Sequence, residues 1–312
     1  MKYKISKDFF PFSHLIVPVP SAKLACWFGT YLMKPPLWLK HDKQVKVTKH
    51  HVASYDGKNI VAYLFEPNGL AEDAPCLVYY HGGGFWFGAA WYHYKIVKKY
   101  ALQVGCKVVF AQYRLMPKHT HPTPAEDCFS IYKWTVQNAE QLGIDQNKIA
   151  VGGDSAGGAL AAAVCQMARD RNFHLPLFQL LVYPVIDRKM QTPSQKEFVD
   201  TPLWNAKLNA KMWKFYIPES ATDIAYASPM DATTLQGLPS AYVETAQFDC
   251  LHDEDVNYAQ ALQRDGVAVE LLQTQGTMHG FDVVQKSPIT KQAVQRRIDF
   301  MKTKFYPTGE KY

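Results

Sequence analysis

The residues with the clearest chemical content form Gly153-Asp-Ser-Ala-Gly157. A serine between glycines at this spacing can be the nucleophile of acyl transfer when it stands on a sharp strand-to-helix turn. The bare pattern arises by chance in roughly one chain of this length in ten, so the flanking residues decide. An apolar run from Lys148 to Gly152 enters as a strand, and a small-residue stretch from Ala156 to Arg171 leaves as a helix. Glycines beside the serine relieve crowding at such a turn, and the helix N-terminus favours negative charge beneath the reacting oxygen. A phosphate cradle fails on spacing, because neither Gly-x-Gly-x-x-Gly nor Gly-Lys-Ser/Thr is present.

Upstream, residues 76–88 run from an apolar strand into His81-Gly-Gly-Gly84 and then Phe85, Trp86 and Phe87. Three successive glycines cost backbone entropy, which points to main-chain N–H groups approaching something closely. In acyl transfer that is the tetrahedral oxyanion, for which one donor is worth about 2.7–4 kcal/mol. The N–H groups of Gly83, Gly84 and Ala156 are the expected donors. His81, directly before the glycines, reads as an anchor of the loop rather than as a base.

A serine hydroxyl needs a base within hydrogen-bond reach, and the base needs a third group to fix its tautomer. With the order nucleophile, acid, histidine, the candidates downstream are His174, His252 and His279. His174 falls between a helix and a strand on the wrong side of the sheet, and His252 belongs to the loop after the seventh strand. His279, in Gly276-Thr-Met-His-Gly-Phe281, follows the last strand and can bend back over Ser155. Asp249, first past the strand from Ala241, is preferred as the acid over Asp253, since Asp253 and Asp255 suit the cap of the next helix.

These groups need a scaffold that brings them to one edge. Eight β-rich runs begin near Val45, Asn59, Cys76, Lys107, Lys148, Phe178, Ala241 and Ala268. Helical stretches cover Tyr94 to Gly105, Pro124 to Leu142, Ala156 to Arg171, Asp253 to Asp265 and Pro288 to Phe305. The alternation predicts an α/β fold with a mostly parallel eight-stranded sheet and helices on both faces. The first two strands, joined at Tyr55-Asp-Gly-Lys58, read as an antiparallel edge hairpin. Residues 1–44 and 187–227 fall outside the alternation and are rich in aromatics and Pro, which suggests two cap segments. The catalytic core then spans 45–186 and 228–312. Phe85, Trp86, Trp204 and Trp213 are the expected substrate-pocket residues, forming a compact apolar site suited to short-chain or aryl acyl groups.

Bulk properties remove other classes. A net charge of +6 on 312 residues, with scattered basic residues, argues against nucleic acid. Lysines 40, 43, 46 and 49 interleave with valines as a solvated edge strand does. Six cysteines without a C-x-x-C pair read as reduced, mostly buried thiols, and neither a signal peptide nor a transmembrane run is visible. A cytoplasmic location and no integral membrane association follow as expectations. Metal binding at His119-x-His121 or His50-His51 lacks carboxylate or Cys partners in register.

Taken together, His81-Gly-Gly-Gly84, Tyr113-Arg-Leu-Met-Pro117, Pro124-Ala-Glu-Asp127, Gly153-Asp-Ser-Ala-Gly-Gly158, Tyr183-Pro184, Asp249 and His279-Gly-Phe281 make the chain resemble the bacterial hormone-sensitive-lipase-like carboxylesterases (family IV) over roughly residues 45–300. The resemblance implies the α/β-hydrolase fold, a Ser155–Asp249–His279 triad, an oxyanion hole from the glycine loop and Ala156, a two-part helical cap, and no cofactor or metal. Cys250 stands where the family usually has Pro, and Met116 and Lys118 depart from its Ala-Pro-Glu-His segment. The expected partner is a small-molecule ester, and a homodimer is left open. An amidase or deacetylase on the same scaffold and a non-catalytic small-molecule receptor are the alternatives.

Overall fold

Nine-residue runs of alternating burial open the ordered core: β1 (Val45–Ala53) and β2 (Asn59–Pro67) pair antiparallel in a hairpin. The computed structural model describes residues 2–10, 12–15 and 42–307. Lys46, Lys49 and His51 of β1 are exposed at the sheet edge, as the charge spacing predicts. Of the expected N-terminal cap segment, residues 16–41, including Cys26, Trp27, Phe28, Tyr31 and Trp38, lie outside the described residues.

The sheet continues with β3 (Ala74–Tyr80), β4 (Lys107–Gln112), β5 (Ile144–Asp154), β6 (Phe178–Val182), β7 (Ser240–Phe248) and β8 (Val269–Met278). The spatial order is β1-β2-β4-β3-β5-β6-β7-β8. Pairing is antiparallel through β4 and parallel from there on. All seven residues of β3 are buried, because a central parallel strand is covered on both faces. Cys76, Val78 and Tyr80 enter one core layer while Leu77 and Tyr79 enter the other.

Helices α1 (Trp91–Tyr100) and α7 (Pro288–Phe305) cover one face, while α2 (Thr123–Gln137), α3 (Ala156–Asp170) and α6 (His252–Arg264) cover the other. Helix α2 ends at Gln137 rather than Leu142, and the first helix departs from the sequence expectation at both ends. The first helix starts at Trp91 rather than Tyr94, since His93 Nδ1 accepts the Ala90 N–H and closes the first turn. It also loses α geometry at Ala101, where a wider π turn runs to Gly105. Between β6 and β7 lie α4 (Pro193–Glu197) and α5 (Ala206–Tyr216), the latter capped by Asn205 accepting from the Leu208 N–H.

The short N-terminal segment is tied to this frame. Ser6 N–H donates to Gly276 O, Ser287 Oγ donates to Asp8, and Phe9 packs edge-on to Phe281. The five described cysteines are unbridged and buried. Among the described residues no helix is long and apolar enough to cross a membrane.

Candidate active site

Ser155 sits between β5 and α3 with φ 56° and ψ −122°, a conformation that L-residues occupy only when their surroundings enforce it. The enforcement is visible in the glycines. A Cβ on Gly157 would lie 2.0 Å from Tyr80 O, so helix α3 can approach β3 this closely only without a side chain there. Ser155 N–H donates to Val182 O, and Val185 N–H donates to Ser155 O, which fastens the turn to β6.

Asp249 is the first residue past β7 and His279 the first past β8, so neighbouring strand ends deliver both to the same edge. His279 Nδ1 lies 2.6 Å from Asp249 Oδ2 and His279 Nε2 lies 2.9 Å from Ser155 Oγ. A carboxylate only accepts, so Nδ1 carries the ring proton and Nε2 is free to accept the serine hydroxyl proton. Asp249 Oδ1 accepts the Leu251 N–H, leaving Oδ2 for the imidazole. The row is buried throughout. Such a row can remove the hydroxyl proton as Ser155 attacks a carbonyl carbon.

The loop after β3 folds back over Ser155. Trp86 and Phe87 N–H both donate to Gly83 O, which closes the turn of the glycine loop. His81 Nδ1 donates to Gly82 O, its ring stacks on Tyr113, and Tyr113 Oη donates to His81 O. Burial pushes His81 down to about 4, so it stays neutral and serves as the anchor expected from its position. Gly83 and Gly84 line the cavity that holds Ser155, and Ala156 opens α3 immediately behind it.

That cavity has a volume of about 300 Å³ and is walled by Phe87, Tyr92, Tyr183, Leu203, Trp204 and Val283 around Ser155 and His279. Of the four aromatics expected to form the pocket, only Trp204 lines it. Phe85 has φ 60°, which turns its ring away to stack on Tyr216 of α5 at 3.8 Å. Trp86 packs edge-on to Phe215, and Trp213 lies beside Tyr216 in the same layer. Phe85 and Trp86 thus pack the loop against α5, and none of the three is among the residues lining the cavity. Tyr183, Leu203 and Val283 replace them. Tyr183 could have been suspected from Tyr183-Pro184, whereas nothing local marks Leu203 or Val283.

The histidine loop is fixed from below. Tyr183 places its ring 4.9 Å from that of His279 and donates from Oη to Asp282. Fully buried Arg297 of α7 bridges Asp282 and Glu244. Buried ions of this kind require every partner, since removing one leaves an uncompensated charge.

The acidic residues after Asp249 do not cap α6 as the sequence suggests. The helix begins at His252, so Asp253 and Asp255 fall inside its first turn. Asp253 accepts from the Ser194 N–H, while Asp255 is fully buried. Glu254 accepts from the Ile186 and Asp187 N–H groups and from the Gln195 amide, tying the start of the 187–227 segment to α6. Burial outweighs these donors and pushes Glu254 up to about 8.

A carboxyl that keeps its proton in the folded state loses stability as pH rises from its unfolded value towards about 8. The limit is about 1.4 kcal/mol per pH unit. Urea unfolding of Glu254→Gln is therefore expected to gain on the wild type between pH 5 and pH 8. A gap that does not change over this range contradicts a protonated Glu254.

Comparison with known proteins agrees with this architecture. Residues 77–283 match the family model described as alpha/beta hydrolase fold. The carboxylesterase NlhH of Mycobacterium tuberculosis is 34% identical over 240 residues, 75% of each chain. An ethyl acetate hydrolase of Pseudomonas putida is 32% identical over 250 residues, 78% of this chain and 77% of that one. The solved structure of a bacterial heroin esterase superposes with a TM-score of 0.81 at 34% identity, covering 84% of this chain and 85% of that one. The chain belongs to the α/β-hydrolase family, within its hormone-sensitive-lipase-like branch of carboxylesterases.

Proposed function

We propose that this enzyme hydrolyses small, uncharged carboxylic esters with short-chain or aryl acyl groups through an acyl-enzyme on Ser155. His279 takes the hydroxyl proton as Ser155 Oγ bonds to the ester carbonyl carbon. The N–H groups of Gly83, Gly84 and Ala156 stabilise the resulting oxyanion. His279 then returns the proton to the leaving alkoxide, the C–O bond breaks, and the acyl group remains on Ser155. Water deprotonated by His279 attacks this ester and releases the acid. Asp249 steadies the imidazolium at both stages.

The observation that carries this reading is the Asp249–His279–Ser155 row, with spacings of 2.6 and 2.9 Å, at the base of an apolar cavity. The acyl preference rests on the cavity. Its volume of about 300 Å³ is at the lower end of ligand sites. Among the described residues lining it there is no Lys or Arg. The names of the relatives fit this class, one being an ethyl acetate hydrolase. In this reading the 187–227 segment acts as a cap, since Leu203 and Trp204 form one wall and Trp204 packs against Gly84.

Rates across p-nitrophenyl esters of increasing acyl length are expected to peak at short chains and fall by about tenfold or more by dodecanoate, since each methylene without a place in the pocket forfeits about 0.8 kcal/mol of burial. A maximum at long chains contradicts the compact pocket. Amides sharing the best acyl group are expected to turn over more slowly than the esters, and the reverse order favours an amidase.

A further inference from the structure

Ser155 and the donors that must face its oxyanion come from different elements, the β5–α3 turn and the loop after β3. Catalysis by the mechanism above needs their separation held to a fraction of an ångström. Strand pairing sets the frame, with Tyr80 opposite Gly153, but pairing ends before the loop begins. A buried histidine outside the catalytic row spans the gap.

His93, in the first turn of α1, has two hydrogen bonds of opposite sense. Its Nδ1 accepts the N–H of Ala90, the residue on which the glycine loop ends, at 2.9 Å. Since that nitrogen accepts, Nε2 carries the ring proton and donates to Asp154 Oδ2 at 3.0 Å. Asp154 is the residue immediately before Ser155, and its other oxygen accepts from Tyr79 Oη at 3.0 Å. Both oxygens of the buried Asp154 carboxylate thus have a donor, as burial of such a group requires. The carboxylate in turn supports the loop from below. A Cβ on Gly82 would meet Asp154 Oδ2 at 2.4 Å and Ser155 Cβ at 3.1 Å.

We infer that His93 is a positioning residue that locks the oxyanion loop to the nucleophile turn, through Ala90 at one nitrogen and Asp154 at the other. It moves no proton in the reaction, because its partners, the Ala90 N–H and the Asp154 carboxylate, are not reacting groups. Its role rests on the ester-hydrolase reading and acts on the transition state, where the oxyanion develops, more than on the bound ester.

The test is His93→Leu, which removes both bonds, beside His93→Gln, whose Oε1 and Nε2 can reproduce the accept-and-donate pattern. With a short-chain p-nitrophenyl ester, His93→Leu is expected to lower kcat by about 100-fold with KM within about twofold, the effect of loosening donors by around an ångström. Inhibition by a trifluoromethyl ketone, whose adduct with Ser155 bears the oxyanion, is expected to weaken by the same factor as kcat/KM. His93→Gln is expected to recover at least tenfold of the loss. A His93→Leu enzyme with wild-type kcat, or one with altered KM alone, overturns the proposal. If the Leu variant does not fold, Asp154→Asn decides: its amide has one oxygen and cannot accept from both His93 and Tyr79, so a lowered kcat in the folded variant is expected and a wild-type kcat overturns the proposal. Absence of ester turnover in the wild type sinks the ester-hydrolase reading itself, an outcome distinct from an active enzyme indifferent to His93.

Discussion

Ser155→Ala leaves a folded protein whose ester turnover falls by about 10⁴- to 10⁶-fold. The size of the loss comes from removing the oxygen that accepts the acyl group, while the oxyanion donors and the cavity remain. Folding survives because the conformation of residue 155 is imposed by its neighbours. Ser155 makes its main-chain bonds to Val182 and Val185 whatever its side chain, and alanine adds no atom. Circular dichroism and the urea midpoint are expected to match the wild type, with kcat on p-nitrophenyl acetate near background. Turnover within tenfold of the wild type would mean that another group attacks the ester.

Asp249→Asn is expected to cost about 10⁴-fold in kcat with little change in KM. The reason is specific to the hydrogen bonds at this acid. Leu251 N–H donates to one oxygen and His279 Nδ1–H to the other, so Asp249 must accept at both. Asparagine has one acceptor, and the fixed backbone N–H claims it. Its NH₂ then faces His279 and favours the tautomer protonated on Nε2, which cannot accept the serine proton. Pre-steady-state kinetics with p-nitrophenyl acetate measures the effect as a slower acylation step. An acylation rate equal to that of the wild type contradicts the assigned orientation of the imidazole.

Both variants concern residues that were legible in the sequence, and the reason is geometric. A parallel sheet delivers strand ends to one edge, so chain order and position just past a strand suffice to single out Ser155, Asp249 and His279. The same logic made the eight strands and the edge hairpin readable, since period-two burial and turn residues are local properties. The 187–227 segment resisted because its short helices are fixed by what they cover: α4 is five residues long and is held by Ser194 and Gln195 against α6.

The pocket was the least legible part. Phe85 and Trp86 directly follow the glycines, yet a left-handed turn at Phe85 rotates its side chain towards α5. No property of residue type distinguishes that outcome from a ring facing the ligand. Asp255 misleads for a related reason. An acid near a helix start reads as a cap, but Asp255 lies within the first turn of α6 and is buried in the core. His93 has no signature at all, since a histidine in a helix rich in lysine and tyrosine resembles a surface residue until its two partners are seen.

The central claim is that hydrolysis passes through an acyl group on Ser155, and rapid-quench mass spectrometry with p-nitrophenyl acetate tests it most directly. One acetyl group is expected on the peptide containing Ser155, formed within a single turnover and lost at the steady-state rate. Nitrophenol release at the full rate with no acetyl on that peptide, or with the acetyl on another residue, would contradict it.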